Sequence, residues 1–426
     1  MTDWLELDRR HVWHPYTQRA VAPPPIAISH AEGVYLYTPD GRAILDGISS
    51  WWVNIHGHHH PRLDRALAAQ AERLAQVIYA GFAHEPGARL AAELSRRAPG
   101  NLPWVFYSDD GSTAVEVALK IAYQAWRQRG EPRRTRFVAF ENAYHGDTFG
   151  AMAAGGVAAF HREFADLFFR VERARLPGSA GGEAPELEEL LARHPGEIAA
   201  VIVEPMVQGA GGMVFHSSTA LRHIRELTAA HGIPLIADEI FTGFGRTGRF
   251  FACEHAGIEP DLLTVSKALT GGYLPLAATL ATDELHQAFL HEDRSRALLH
   301  GHSFTGNALS TAVALESLAV FDDERCLEKV ARLETLFGEH LARFAGHPRV
   351  QSVRYLGGLA VLELTTGGPG GYLDDQGPRL MAAALERGVL LRPLGNVLYF
   401  LPPYGITEEQ VAGVFGVIGE ILGAGP

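Results

Sequence analysis

The stretch IPLIADEIFTGFGRTG, Ile233 to Gly248, and the PDLLTVSKALTGG that follows it, Pro260 to Gly272, each carry an apolar run that ends on one charged residue. The first run delivers Asp238 and the second Lys267. Continuous apolar runs bounded by Gly and Pro suit strands covered on both faces, so Ile233–Ile240 and Leu262–Val265 are predicted as strands of a parallel sheet. In open α/β sheets ligands bind at the carboxyl ends of the strands, which is where this reading puts both charges.

A lysine beside apolar surface can lose its proton and attack a carbonyl as a neutral amine. An aspartate placed to hold a proton on a pyridine nitrogen completes the arrangement used with pyridoxal phosphate, in which the cofactor is the electron sink. The competing reading is an ordinary salt bridge between two strand ends. The rest of the chain decides between them.

Working outward, helical patterns (Leu63–Val77, Thr113–Arg129, Ser218–His231) alternate with apolar strands (Trp104–Tyr107, Arg136–Phe140, Ala199–Val203). Such alternation predicts an α/β fold with a mostly parallel central sheet flanked by helices. Beyond about Leu299 the pattern changes. One long helical segment, Leu309–Phe344, precedes short strands at Val350–Arg354, Leu359–Glu363 and Val397–Phe400 and a closing helix from Glu408, which together describe a small α+β domain. Two Gly- and Pro-rich clusters, Leu176–Glu186 and Thr365–Pro378, read as surface connections.

With 426 residues, 47% of them hydrophobic, the chain is long enough for two cored domains. A net charge of −12 argues against nucleic acid or an anionic membrane surface as partner. MTDWLELDRR lacks the features of a secretory signal, and no apolar run approaches the about 18 residues that span a bilayer, so a cytoplasmic protein is expected. Two cysteines, Cys253 and Cys326, are too few for a disulfide framework. The histidines at 56, 58, 59 and 60 are too crowded for a metal site, since alternate residues of an extended segment face opposite ways. No metal is expected.

Ser108-Asp-Asp-Gly-Ser112 follows a strand and opens a helix, so free N–H groups and the positive end of the helix dipole can face an anion. Gly111 permits close approach and Ser112 adds a hydroxyl, although the same residues would serve a plain N-cap. GFGRTG, Gly243 to Gly248, has the spacing of a dinucleotide fingerprint but no helix start after it, so that reading fails.

ADEIFTGFGRTG together with SKALTGG resembles the fold type I, class III pyridoxal phosphate aminotransferases over nearly the whole chain. WHPY (Trp13 to Tyr16), DGISSWWVNIHGHHHP (Asp46 to Pro61), DDGSTAVEVALK (Asp109 to Lys120), YHGDTFGAM (Tyr144 to Met152), EPMVQGAGGM (Glu204 to Met213) and RPLGNVLYFLPPY (Arg392 to Tyr404) narrow it to the branch that aminates 8-amino-7-oxononanoate in biotin synthesis. The resemblance implies a small domain built from residues 1–48 and 308–426, a large cofactor domain over 49–307, and a homodimer with active sites at the interface.

It also implies roles. Lys267 carries the cofactor and moves the proton, Asp238 faces the ring nitrogen, Tyr144 stacks on the ring, and Gly111 and Ser112 hold the phosphate. Ser303, within Gly301-His-Ser-Phe304, reaches the phosphate from the neighbouring subunit, with Gly301 beside the substrate. Glu204, and less directly Gln208, lie on the phenolic-oxygen side. Tyr16, Trp51 and Tyr144 wall the substrate pocket, Asp147 supports Tyr144 or the donor's amino group, and Arg246 lies near the acceptor's polar end or in a solvent-exposed loop. An acceptor with an apolar chain and a terminal carboxylate needs one fixed cation; the fork of Arg392 suits it, with Tyr399 in support. The implied donor is S-adenosylmethionine. Lysine as donor, a general ω-amino acid:pyruvate aminotransferase, an aminomutase and a cofactor-free binding protein are the alternatives.

Overall fold

The computed structural model describes residues 3–179, 181–368 and 370–423. Ala180 and Pro369, within the two predicted surface connections, and the outermost ends of the predicted small domain lie outside the described residues.

Seven strands form the central sheet: β1 (Trp104–Ser108), β2 (Arg136–Phe140), β3 (Val171–Ala174), β4 (Ile198–Val203), β5 (Leu235–Asp238), β6 (Leu262–Val265) and β7 (Ala277–Ala281). Their order is β1-β7-β6-β5-β4-β2-β3. Only β7 runs antiparallel to its neighbours, so the sheet is mostly parallel as the alternating pattern predicts. Every residue of β4 to β7 is buried, which is why these strands read as unbroken apolar runs.

Successive side chains feed two different cores. Phe137, Ala139, Ile202 and Ile236 pack with the helix α1 (Gly111–Gln128) on one face, while Val138, Phe140, Val201, Val203 and Ala237 pack into the larger core on the other. Burial of this kind contributes about 25 cal/mol per Å² of apolar surface, so both faces resist any slip in register. The register sets Ala237 opposite Val203 and Asp238 opposite Thr264, which brings the carboxyl ends of β4, β5 and β6 level.

Strand β7 escaped the sequence reading because its AATLA has no alternation and little strand propensity; only its place between two neighbours makes it a strand. The long helical segment proves to be two helices, Ala308–Asp323 and Cys326–Ala342. They break at Arg325, which sits in the left-handed region at φ 51° with no Gly or Pro to announce it.

The N-terminal strands His30–Glu32, Tyr35–Tyr37 and Ala43–Asp46 form a sheet with Val389–Leu390, pairing Leu45 with Val389 and Asp46 with Leu390. Val350–Leu356, Leu359–Leu364 and Val397–Phe400 form a separate antiparallel sheet. Among the described residues no helix is long and apolar enough to cross a membrane.

Candidate active site

A cavity of about 440 Å³ opens at the carboxyl ends of the sheet, with Glu204, Asp238 and Lys267 in its wall. Asp238 is the last residue of β5 and is buried; Lys267 starts the 3-10 turn Lys267–Thr270 just past β6. The two do not form an ion pair. Asp238 instead places Oδ2 at 2.6 Å from Nδ1 of the buried His145, and its Oδ1 accepts from the Ile240 N–H (3.1 Å) and Thr264 Oγ1 (3.3 Å). The simple strand-end salt bridge is therefore excluded.

Enclosure by protein pulls the pKa of Lys267 below its ordinary value, against the opposing pull of Asp238, Glu204 and Asp147. Its Nζ stands 5.2 Å from the Trp52 ring centre. Glu204, buried just after β4, is fixed by two backbone donors: Tyr144 N–H to Oε1 and Gly209 N–H to Oε2, both 2.9 Å. Burial, then the charge of Asp238, pushes its pKa up to about 8.

At the other end of the cavity, α1 presents its N-terminus. Asp110 is the N-cap and accepts from the Thr113 N–H at 3.0 Å, while Thr113 Oγ1 reaches Asp109. Both acids thus serve the helix start, and they line the cavity together with Gly111 and Ser112. Ser112 Oγ accepts from the Asp147 N–H at 3.0 Å and ties the YHGD turn to the helix.

An amine with lowered pKa, a buried carboxylate braced by a histidine, and a helix N-terminus at opposite ends of one cavity fit pyridoxal phosphate. The family profile for Aminotransferase class-III matches residues 16–422 of the chain. The chain belongs to the class III aminotransferases.

This aminotransferase is therefore a pyridoxal phosphate-dependent enzyme. It is 46% identical, over 97% of its length and 98% of the relative's, to adenosylmethionine-8-amino-7-oxononanoate aminotransferase from Synechococcus elongatus. Its fold matches the crystal structure of the Methanocaldococcus jannaschii protein of the same name with a TM-score of 0.93 at 36% identity, covering 98% of each chain. A thermostable omega transaminase from Pseudomonas jessenii also superposes with a TM-score of 0.93, at 29% identity over 99% of this chain and 98% of the other. Backbone shape alone does not separate these activities; side chains must.

Beside the cavity of the aminotransferase, the SSWW segment does what its sequence hides. Ser49, Ser50, Trp51 and Trp52 have φ of 49°, 45°, 71° and 77°, a full left-handed turn with no glycine in it. Each such residue costs roughly 1–2 kcal/mol, so the turn exists only because its surroundings hold it. It sends the two indoles to different tasks. Trp52 is buried, packs on Phe241 and donates Nε1–H to the Tyr399 hydroxyl at 3.1 Å. Trp51 is 38% exposed and lies with Arg392 over its ring at 4.5 Å and Tyr16 edge-on at 5.6 Å.

Tyr16, itself at φ 51°, donates to Asp147 Oδ2 at 2.5 Å and lies 3.2 Å from the Tyr144 hydroxyl. Burial works against the Asp147 carboxylate, but the nearby His161 and the bond from Tyr16 outweigh it and hold its pKa below the usual value. Phe160 and Tyr372 close this aromatic group from outside, Tyr372 coming from the second Gly- and Pro-rich loop.

Other candidates fall elsewhere. Arg246 is fully buried, not in a solvent-exposed loop: it stacks on Tyr404 at 5.0 Å, donates to the Pro402 carbonyl, and burial lowers its pKa. Tyr399 is wholly buried and meets the pocket through Trp52. Gln208 donates to the Glu141 carbonyl and is not part of the cavity wall. Gly301 and Ser303 are exposed and do not line the cavity of their own chain. The histidines at 56, 58, 59 and 60 each take a different partner, Ser317, Asp46, Asp64 and Glu324. Among the described residues no group of three or more His, Cys, Asp or Glu could hold a metal.

The residue that sequence reasoning missed is His145. Its place beside Tyr144 was visible, but its pairing with an aspartate 93 positions away was not.

Proposed function

We propose that this aminotransferase transfers an amino group to 8-amino-7-oxononanoate, giving 7,8-diaminononanoate, with S-adenosylmethionine as donor. The observation that carries the reading is Arg392. It lies half-buried on Trp51 and, among the described residues, has no carboxylate partner, so its fork is free for the terminal carboxylate of an apolar acceptor. The name borne by the Synechococcus elongatus relative supports the same acceptor and donor.

In this reading Lys267 would hold pyridoxal phosphate, Gly111 and Ser112 would take its phosphate at the α1 N-terminus, and Tyr144 would pack on its ring. Asp238 would keep the ring nitrogen protonated, with His145 bracing the carboxylate. The bound pyridine ring supplies an electron sink for the pair left by the broken C–H bond. Once displaced by the donor's amine, Lys267 Nζ, neutral at lower pH than a free lysine, would take the proton from the donor carbon and return it as general base, then acid. The acceptor ketone then follows the same proton path in reverse, in a ping-pong cycle. Tyr16 and Trp51 exclude water, Asp147 orients Tyr16, Glu204 serves the phenolic-oxygen side, and Tyr399 supports Trp52. Arg246 bears on the acceptor's end only through the packing behind it.

The wider proposal is a cytoplasmic homodimer in which Ser303 and Gly301 complete the neighbouring site. Its division into a large domain, 49–307, and a small one from 1–48 and 308–426 is supported by the pairing of Asp46 with Leu390.

The test follows 7,8-diaminononanoate by mass with S-adenosylmethionine or lysine as sole donor. Product with S-adenosylmethionine alone supports the reading; product with lysine alone keeps the acceptor and changes the donor. No product with either moves the enzyme to the general ω-aminotransferases. Arg392→Ala should raise the acceptor KM about 100-fold, as loss of a charged bidentate pair would, and leave the donor half-reaction nearly unchanged.

A further inference from the structure

Asp46 belongs to no catalytic motif, yet it is wholly buried and every polar atom of its side chain is engaged. Oδ1 accepts from the N–H groups of Ile48 (3.3 Å) and Ser50 (2.9 Å), and Oδ2 accepts from Ser50 Oγ (2.7 Å) and lies 2.9 Å from His58 Nε2. Those bonds close on the left-handed turn Ser49–Trp52, whose backbone is strained at every residue. Asp46 also ends the strand Ala43–Asp46, directly opposite Leu390, two residues before Arg392. Between them Gly47 donates its N–H to the Leu390 carbonyl, and a Cβ on Gly47 would fall 2.7 Å from that oxygen. Asp46 therefore touches both elements: its backbone pairs with the strand that leads to Arg392, and its carboxylate holds the turn that carries Trp51.

We infer that Asp46, backed by His58, is a positioning residue for the acceptor: it holds the left-handed turn so that the Trp51 ring stays under the Arg392 guanidinium. The two indoles differ in how much they need it. Trp52 has its own anchors in Phe241 and Tyr399. Trp51 is part-exposed and, among the described residues, its ring pairs with Arg392 and Tyr16 and makes no side-chain hydrogen bond, so the turn decides where it lies. Loss of the pin releases Trp51 and the fork above it, and leaves the surroundings of Lys267 in place. The acceptor half-reaction suffers and the donor half-reaction does not, a split that general loosening of the fold would not produce.

The inference rests on the proposed role of Arg392, so the experiment runs Asp46→Ala beside Arg392→Ala in the full-length, cofactor-loaded enzyme. Both half-reactions are followed by single-turnover absorbance. Asp46→Ala should raise the acceptor KM about tenfold or more, with the donor half-reaction rate within about threefold of the parent. Ser50→Gly relieves the strain without the pin, because glycine adopts this φ freely. Alone it should leave the acceptor KM within about threefold, and in Asp46→Ala/Ser50→Gly it should recover much of the loss. That double variant also serves if Asp46→Ala does not fold.

An acceptor KM unchanged in Asp46→Ala while Arg392→Ala raises it would overturn the inference and spare the function. Equal damage to both half-reactions, or no recovery on adding Ser50→Gly, would overturn it as well. An acceptor KM unmoved in Arg392→Ala would overturn the proposed function itself.

Discussion

Asp238 Oδ2 lies 2.6 Å from His145 Nδ1, with both side chains almost wholly buried and His145 Nε2 left without a protein partner. A carboxylate at a buried strand end loses its water, and here one strong hydrogen bond from an imidazole replaces much of it. The pair links the YHGD turn after β2 to the end of β5, so Asp238 is oriented from outside its own strand.

Removing either member should separate orientation from charge. Asp238→Ala is expected to retain cofactor and lose roughly a thousandfold in turnover, since it abolishes the charge opposite the ring nitrogen. His145→Ala keeps the charge and should lose only about 10- to 100-fold, the worth of one hydrogen bond to a charged group. Single-turnover rates with the absorbance of the bound cofactor measure both. Equal losses would show that the histidine does more than orient Asp238.

Glu239, next in sequence to Asp238, has a structural task with a pH signature. Its carboxylate accepts from the Ala252 and Cys253 N–H groups and from Thr242 Oγ1, and burial outweighs those bonds, pushing its pKa up to about 7. A folded-state value above the unfolded one favours the fold at low pH. The contribution is complete below about pH 4.5 and is lost as the pH rises through about 7, on the order of 3 kcal/mol across that window. Glu239→Gln should flatten the stability profile over this range, whatever its effect on absolute stability. Urea midpoints at about pH 5 and about pH 8 measure it; a variant with the parent's slope would remove Glu239 as the source.

Gly146 lines the cavity at φ 125°, and a Cβ there would fall 2.0 Å from Ser112 Oγ at the start of α1. Gly146→Ala must push the YHGD turn off the helix. A loss of about 1–3 kcal/mol and weaker cofactor retention are expected. Gly130, at φ 83° with open space around its Cβ position, is the control: Gly130→Ala should cost about 1 kcal/mol from backbone strain alone and leave cofactor retention unchanged. Thermal melts with and without cofactor distinguish the two.

Much of this was legible along the chain. Unbroken apolar runs marked β4, β5 and β6, because strands buried on both faces need no alternation, and the charges that end them marked the mouth of the sheet. The helix start at Asp110-Gly111-Ser112 was legible because N-caps and anion sites draw on the same few residue types. Arg246 was read less well, since a Gly-rich flank suggests exposure and nothing local reveals that Tyr404 covers it.

By itself the sequence determined five of the seven sheet strands, the main helices between them, and that Asp238 and Lys267 come to the strand ends. These follow from periodicity and burial, which are properties of neighbouring residues. The tertiary structure alone decided that Asp238 leans on His145, that Ser49–Trp52 winds left-handed without a glycine, and that Asp46 sets Trp51 beneath Arg392. The left-handed conformation is unfavourable for each of those residues taken singly, so only bonds from distant segments sustain it, and no local pattern encodes them.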